Sequence, residues 1–278
     1  MVKAMKQRSP MPGLGLSMGI TLSMLSIVVL LPIGALLMQG AQFGLSNVWA
    51  VVNRERVWAA LWLSFRLSLW AALFNLVFGV LLAWVLVRYR FLGRRLLDAA
   101  VDLPFALPTA VAGIALTALY APNGFFGSYA KALGFKIAYT EIGIFIALVF
   151  VGLPFVTRTV QPVIEEIDRE VEEASATLGA SRFYTLRRVV MPMLMPAALT
   201  GFALSFARAV GEYGSVIFIA GNIPMRTEIA PLLIVIQLEE FNYDAAGAIG
   251  IAMLLISFMM LLLINIIQIW SRKRIGYV

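Results

Sequence analysis

Val163 to Pro196 reads VIEEIDREVEEASATLGASRFYTLRRVVMPMLMP, and this stretch decides how the chain is organised. It is the longest strongly charged segment in a chain that is otherwise mostly hydrocarbon, with membrane-length apolar stretches on both sides. Ile164, Ile167, Val171, Ala174 and Leu178 recur at spacings of three and four, which predicts one apolar helix face. Glu165, Glu166, Asp168, Glu170, Glu172 and Glu173 fill the positions between them. A helix divided in this way lies flat on a surface or slots into a groove. Gly179 interrupts the pattern and permits a turn. A second, basic helix with Arg182, Arg187 and Arg188 is expected over about Ser181 to Val190, and Pro192 is expected to end it. The stretch carries no catalytic chemistry. Two readings fit it: a solvated hairpin joining two spans, or a surface on which a partner docks.

Composition sets the class. The 278 residues have a mean hydropathy of +0.90, are 61% hydrophobic and only 13% charged. A soluble domain carries about 25% charged residues, so this is an all-α integral membrane protein. There is no cysteine, hence no disulfide or metal thiolate, and no histidine, the commonest general base. No cofactor or metal is expected. No Gly-x-x-x-x-Gly-Lys-Ser/Thr run is present, so ATP-driven work would need a second polypeptide.

Six stretches are expected to cross the membrane. They are Leu14 to Met38, Val57 to Val87, Leu103 to about Tyr120, Ile142 to Thr157, Ala197 to Ile219 and Ala245 to Trp270. Lys3, Lys6 and Arg8 precede the first, whose 25 apolar residues exceed the core of a signal peptide, so it is read as a retained span. Ile229 to Leu238 is too short to span and reads as interfacial or re-entrant. With both termini inside, fifteen Lys and Arg fall on inner segments, five on outer segments, and Arg66 and Arg208 within spans. That bias predicts cytoplasmic termini. It places the charged stretch in the cytoplasm and accounts for the net charge of +7 without nucleic acid. The expected organisation is a basic segment and first span (1–56), a transmembrane domain (57–270) containing the 163–196 loop, and a basic tail (271–278).

Ionisable groups inside a span usually face a bundle interior or a watery path. Arg208 and Glu212, four residues apart, are expected to share a helix face and to pair. Either they form a structural ion pair, or Arg208 lends positive potential to an anion path. Gly211 to Ser215 and Gly79 and Gly113 put small residues where helices pack closely or a solute approaches backbone. Pro104 and Pro108 prevent a regular helix at the start of the third span and free backbone carbonyls there. The result is a bent helix entry or a gate. Thr109, Thr117 and Ser215 offer uncharged hydroxyls suited to an oxyanion that must be released again. Arg66 is expected to snorkel outward.

Glu173-Ala174-Ser175, then Gly179 and Met191-Pro192, resembles the cytoplasmic EAA loop of ABC importer permeases. The third motif position is Ser175 in place of alanine, and the usual Leu-Pro ending is Met191-Pro192. The runs Asp102 to Gly113, Leu153 to Pro162 and Arg208 to Asn222, with Arg88-Tyr-Arg-Phe91 and Gly93, look like the T-type sulfate/thiosulfate permeases of the ABC type-1 superfamily. The likeness extends from about Leu14 to Gln268. It implies a type I importer permease fold of six helices with a cytoplasmic coupling loop. In that loop Glu173, Ala174, Ser175, Gly179 and Pro192 would couple to the ATPase. It also implies a sister permease, two ATP-binding subunits and an extracytoplasmic sulfate-binding protein. Alternating access would carry the anion through a path that includes Arg208, Glu212, Ser215, Thr109, Pro104 and Pro108.

A molybdate or tungstate permease is the nearest rival. An ion-driven transporter or channel would call for inverted repeats or a relay of intramembrane acids, and only Glu212 qualifies. An intramembrane enzyme lacks a plausible catalytic pair. The protein is therefore expected to be a transport subunit of the inner membrane without an ATPase site of its own.

Overall fold

A computed structural model describes residues 14–275, so Lys3, Lys6 and Arg8 and the last three residues lie outside it, as do the side chains of the 271–278 tail. Every regular element among the described residues is helical. The first helix is α1 (Leu14–Phe43), followed by the short α2 (Leu45–Val52) and the long α3 (Glu55–Arg88). Next come α4 (Arg94–Val101), α5 (Leu103–Ala106), α6 (Thr109–Tyr120), α7 (Phe125–Ala132) and α8 (Glu141–Glu166). The charged stretch contributes α9 (Arg169–Thr177) and the start of α10 (Arg182–Val210). The chain ends with α11 (Val216–Ile219), α12 (Ala230–Glu239) and α13 (Tyr243–Ile275). Five helices are long and apolar enough to cross a membrane, and six if α6 and α7, bent by 41° at their junction, make one span.

These helices form because lipid offers no partner for backbone groups, so an apolar stretch satisfies them internally. Helix α3, at 34 residues, is about 50 Å long at 1.5 Å per residue, well beyond the hydrocarbon thickness. Its Arg88 end lies alongside the charged hairpin α9–α10. We call this the basic end.

Hydrophobicity gives little drive for helices to associate in lipid, so close packing must do so. Helices α3, α8 and α10 cross at Val156, which is fully buried. A β-carbon on Gly79 of α3 would stand 2.8 Å from the Val156 Cβ, and one on Gly201 of α10 would stand 2.8 Å from its Cα. Above and below this crossing lie three apolar clusters. Leu61, Phe206 and Ile249 join α3, α10 and α13; Ala71, Ile144 and Leu232 join α3, α8 and α12; Ala83, Val160 and Leu194 fill the basic end. Asn75, with no exposed surface, donates to Ser205 Oγ at 3.1 Å across α3 and α10.

Several sequence expectations need correction. Pro192 does not end the basic helix. A π-helical turn over Leu186–Val190, in which Met191 N–H bonds to the Leu186 carbonyl, precedes it, and α10 continues to Val210. A proline ring clashes with the carbonyl four residues back, and a wider turn makes room for it. The same arrangement precedes Pro32, where Leu31 N–H bonds to the Ser26 carbonyl. The expected single face from Ile164 to Leu178 is also broken. Ile167 leaves the helix with ψ 108°, so Ile164 and Ile167 are buried in the basic-end cluster while Leu178 is 88% exposed. The fifth span stops at Val210 and not Ile219, because Gly211 to Ser215 form a break. Helix α12 packs inward through Ala230, Leu232 and Leu233. Arg66 has a partner, Glu141 at the start of α8.

Candidate functional site

The hairpin at the basic end is built by local chemistry. Glu170 and Glu172 lie in the first turn of α9, where the helix dipole favours negative charge. At its other end Gly179 N–H bonds to the Ala176 carbonyl at 3.0 Å and Ala180 N–H to the Ser175 carbonyl at 3.1 Å. This is a Schellman closure, and it requires the left-handed φ of +79° at Gly179. Ser181 then caps α10 by accepting from Tyr184 N–H at 3.3 Å. The Ser175 and Thr185 hydroxyls, 2.8 Å apart, close the hairpin on itself. Glu173 and Ala174 are exposed, Ser175 and Pro192 half-buried. A concavity of about 820 Å³ is lined by Val171, Ala174, Leu178, Tyr184 and Val189. Phe183 and Tyr184 are 71% and 56% exposed beside it. Exposed apolar side chains thus sit beside the exposed acidic residues of α9 at the tip of the hairpin.

The other candidate residues gather where two broken spans meet. Leu107, ahead of Pro108, is extended (φ −87°, ψ 136°), as a residue before proline prefers, and α6 restarts at Thr109. The break Gly211 to Ser215 packs on that start. A β-carbon on Gly214 would collide with the Thr109 hydroxyl, and one on Gly113 would stand 2.5 Å from the Ser215 carbonyl oxygen. Glu212 is 2% exposed. Its Oε1 accepts from both Ser215 N–H and Ser215 Oγ at 2.8 Å, and its Oε2 meets Arg208 Nη1 at 2.5 Å. The pair therefore forms, though Glu212 sits in the break and not on the helix. Arg208 is its open half, with a side chain 34% exposed. Ser215 is fully buried with its hydroxyl committed, and the Thr117 hydroxyl donates to the Gly113 carbonyl at 2.7 Å, so neither offers a hydroxyl outward. Pro104 lies one turn earlier, in the segment held by Arg158. That guanidinium takes Asp102 in a two-pronged grip at 2.8 and 2.7 Å and Asp98 at 2.6 Å.

Sequence spacing did not reveal this anchor, nor the two-pronged Arg56–Glu228 pair at 2.8 and 2.7 Å, which holds the loop before α12 to the start of α3. Residues 56 or 172 positions apart leave no periodic signal. Asn75 and the two aspartates that precede Pro104 leave no periodic signal either.

The family described as "Binding-protein-dependent transport system inner membrane component" matches residues 75–277. The chain belongs to this family. Within it the permease is similar to the T-type sulfate permeases. It is 48% identical to the sulfate transport system permease protein CysT of Salmonella typhimurium, over 99% of both chains. The protein of the same name from Escherichia coli is 47% identical over the same shares. The one from Synechocystis is 46% identical over 91% of this chain and 89% of its own. In fold, the permease superposes on a chain of a bacterial alginate ABC transporter in complex with an alginate pentasaccharide-bound periplasmic protein. The TM-score is 0.76, at 18% identity over 95% of each chain. It also matches the MetNI methionine ABC transporter in inward-facing conformations, with TM-score 0.54 and 16% identity over 78% of this chain and 94% of that one. The fold is that of a type I ABC permease.

Proposed function

We propose that this permease is the membrane-spanning subunit of an ATP-driven importer of sulfate and thiosulfate. The observation that carries the substrate is the 48% identity over nearly the whole chain to a sulfate transport permease. The excess of Lys and Arg on alternate segments supports a multi-pass placement in the bacterial inner membrane with both termini cytoplasmic. The hairpin Glu173, Ala174, Ser175, Gly179 and Pro192 then faces the cytoplasm and takes the ATP-binding subunits. A sister permease completes the pore, and an extracytoplasmic binding protein delivers the anion. Hydrolysis belongs to the ATP-binding subunits, since this chain has no phosphate-cradling glycine loop.

The path runs where α5–α6 and α10–α11 break. Arg208 supplies positive potential, partly offset by Glu212, so an anion is attracted yet released. Thr109 packs against the break at Gly214, and Pro104 and Pro108 keep the entry of α6 irregular. Movement of the hairpin alternately opens the two sides.

Radiolabelled sulfate uptake tests this reading. Proteoliposomes holding this permease with its sister subunit, ATPase and binding protein are expected to import sulfate only with ATP inside. Membranes holding this chain alone are expected to import none. Uptake without nucleotide, or selective uptake of molybdate in place of sulfate, would count against it.

A further inference from the structure

Helix α9 is joined to α8 in sequence only through Ile167 and Asp168, both extended, with ψ of 108° and 136°. Such a link is a swivel, and it passes little force to the spans. Noncovalent ties must supply the stiffness. One is the Ser175–Thr185 hydroxyl contact, which reaches α10. The other starts from Arg88, the last residue of α3, eighty-odd positions away in sequence.

The Arg88 side chain is 13% exposed, and its Nη2 stands 2.8 Å from Glu172 Oε1 on α9. The same nitrogen donates to the carbonyl of Ile167, the residue that caps α8, at 3.2 Å. The guanidinium lies 5.3 Å over the Trp84 ring, one turn back on α3, which fixes its orientation. One group thus touches α3, the end of α8 and α9. Among the described residues no other ion pair joins α9 to a span. The grip is also one-pointed: Arg88 Nε and Glu172 Oε1 are both buried without a hydrogen-bond partner, so charge alone holds Nη2 to the carboxylate. A two-pronged clamp would fix the angle of α9. A single nitrogen tethers it and lets it rock.

We propose that the Arg88 guanidinium is the joint through which rocking of α9 reaches α3 and the end of α8. This rests on reading the hairpin as the ATPase-docking element. Arg88 is then a positioning residue: it neither binds the ATPase nor meets the anion, but couples the movement of one to the passage of the other.

The test uses the assembled complex with the variants Arg88→Met, Glu172→Gln and the exchanged pair Arg88→Glu/Glu172→Arg. Four quantities are read: ATPase co-purification, basal hydrolysis, hydrolysis stimulated by loaded binding protein, and sulfate uptake. Both single variants are expected to keep co-purification and basal hydrolysis within about twofold, while stimulation and uptake fall about tenfold. The exchanged pair is expected to recover part of the uptake. Uptake within about twofold of the parent in Glu172→Gln would overturn the proposal. So would loss of co-purification in step with uptake, which would make the pair a support for the docking surface only. If Arg88→Met fails to accumulate, Glu172→Gln decides, since it leaves α3 untouched. Failure of the docking reading shows separately, as undiminished co-purification in Glu173→Lys.

Discussion

Gly113 lies directly against the backbone of Ser215: a β-carbon there would stand 2.5 Å from the Ser215 carbonyl oxygen and 2.8 Å from its Cα. The two broken spans therefore meet backbone to backbone, and neither side can yield by turning a side chain. Gly113→Ala is expected to destabilise the permease by about 1–3 kcal/mol, the usual cost of overpacking. Sulfate uptake should fall with it. Gly211, which has nothing within 4 Å of a β-carbon, is the control, and Gly211→Ala should be near neutral. Thermal unfolding of the two purified variants compares them directly, and equal midpoints would contradict the contact.

The hairpin makes a different demand. Gly179 has open space around it, so a substitution is opposed by its left-handed backbone and not by crowding. Placing an ordinary residue there costs about 1–2 kcal/mol. Gly179→Asp and Glu173→Lys are expected to reduce ATPase co-purification and uptake together while membrane insertion is kept. Pull-down of the ATPase from solubilised membranes checks this, and full recovery with either variant would place docking elsewhere.

Glu212 is the buried half of its pair, so removing Arg208 leaves a carboxylate without its cation. Breaking a buried pair from one side costs about 3–5 kcal/mol, with less expected here because Arg208 is partly solvated. Arg208→Ala should therefore harm stability more than Arg208→Ala/Glu212→Gln, in which a neutral amide still accepts from Ser215. Uptake then separates the two roles of the arginine. If the double variant regains stability but not sulfate uptake, Arg208 serves the anion; if it regains both, the pair is structural.

The same reasoning applies at the opposite end. Glu228 has a side chain 1% exposed and is held from two sides by Arg56. Arg56→Ala is expected to cost about 1–3 kcal/mol, the penalty for a buried group left unsatisfied. Adding Glu228→Gln should return part of it. Unfolding midpoints of the single and double variants in detergent give the answer.

The spans were legible because a continuous apolar stretch has few ways to satisfy its backbone in lipid. The hairpin was legible because Gly179 and its flanking charges are local signals. What sequence does not carry is set by tertiary contact. Pro192 looked like a terminator, since sequence alone does not show that a looser turn will absorb its ring. Ile164 to Leu178 looked like one stripe, because three-and-four spacing continues through Ile167 whether or not the helix does. Glu212 was expected to pair with Arg208, and does so, yet its hold on Ser215 depends on a break that the apolar run conceals. Arg158 and its two aspartates illustrate the remaining gap: each is an ordinary polar residue until α4 and α5 fold back against α8.

The wide turn at Leu186–Val190 has a consequence for inheritance of this sequence. One added residue within a helix turns everything downstream by about 100° relative to what precedes it. The face that α10 shows at the hairpin and the face it shows at Arg208 are thus indexed to each other by that single insertion. Deleting one residue there, chemically a mild event, would turn Gly201 off Val156 and Ser205 off Asn75. Such a one-residue gap should be far rarer among functional descendants than point changes at the same positions.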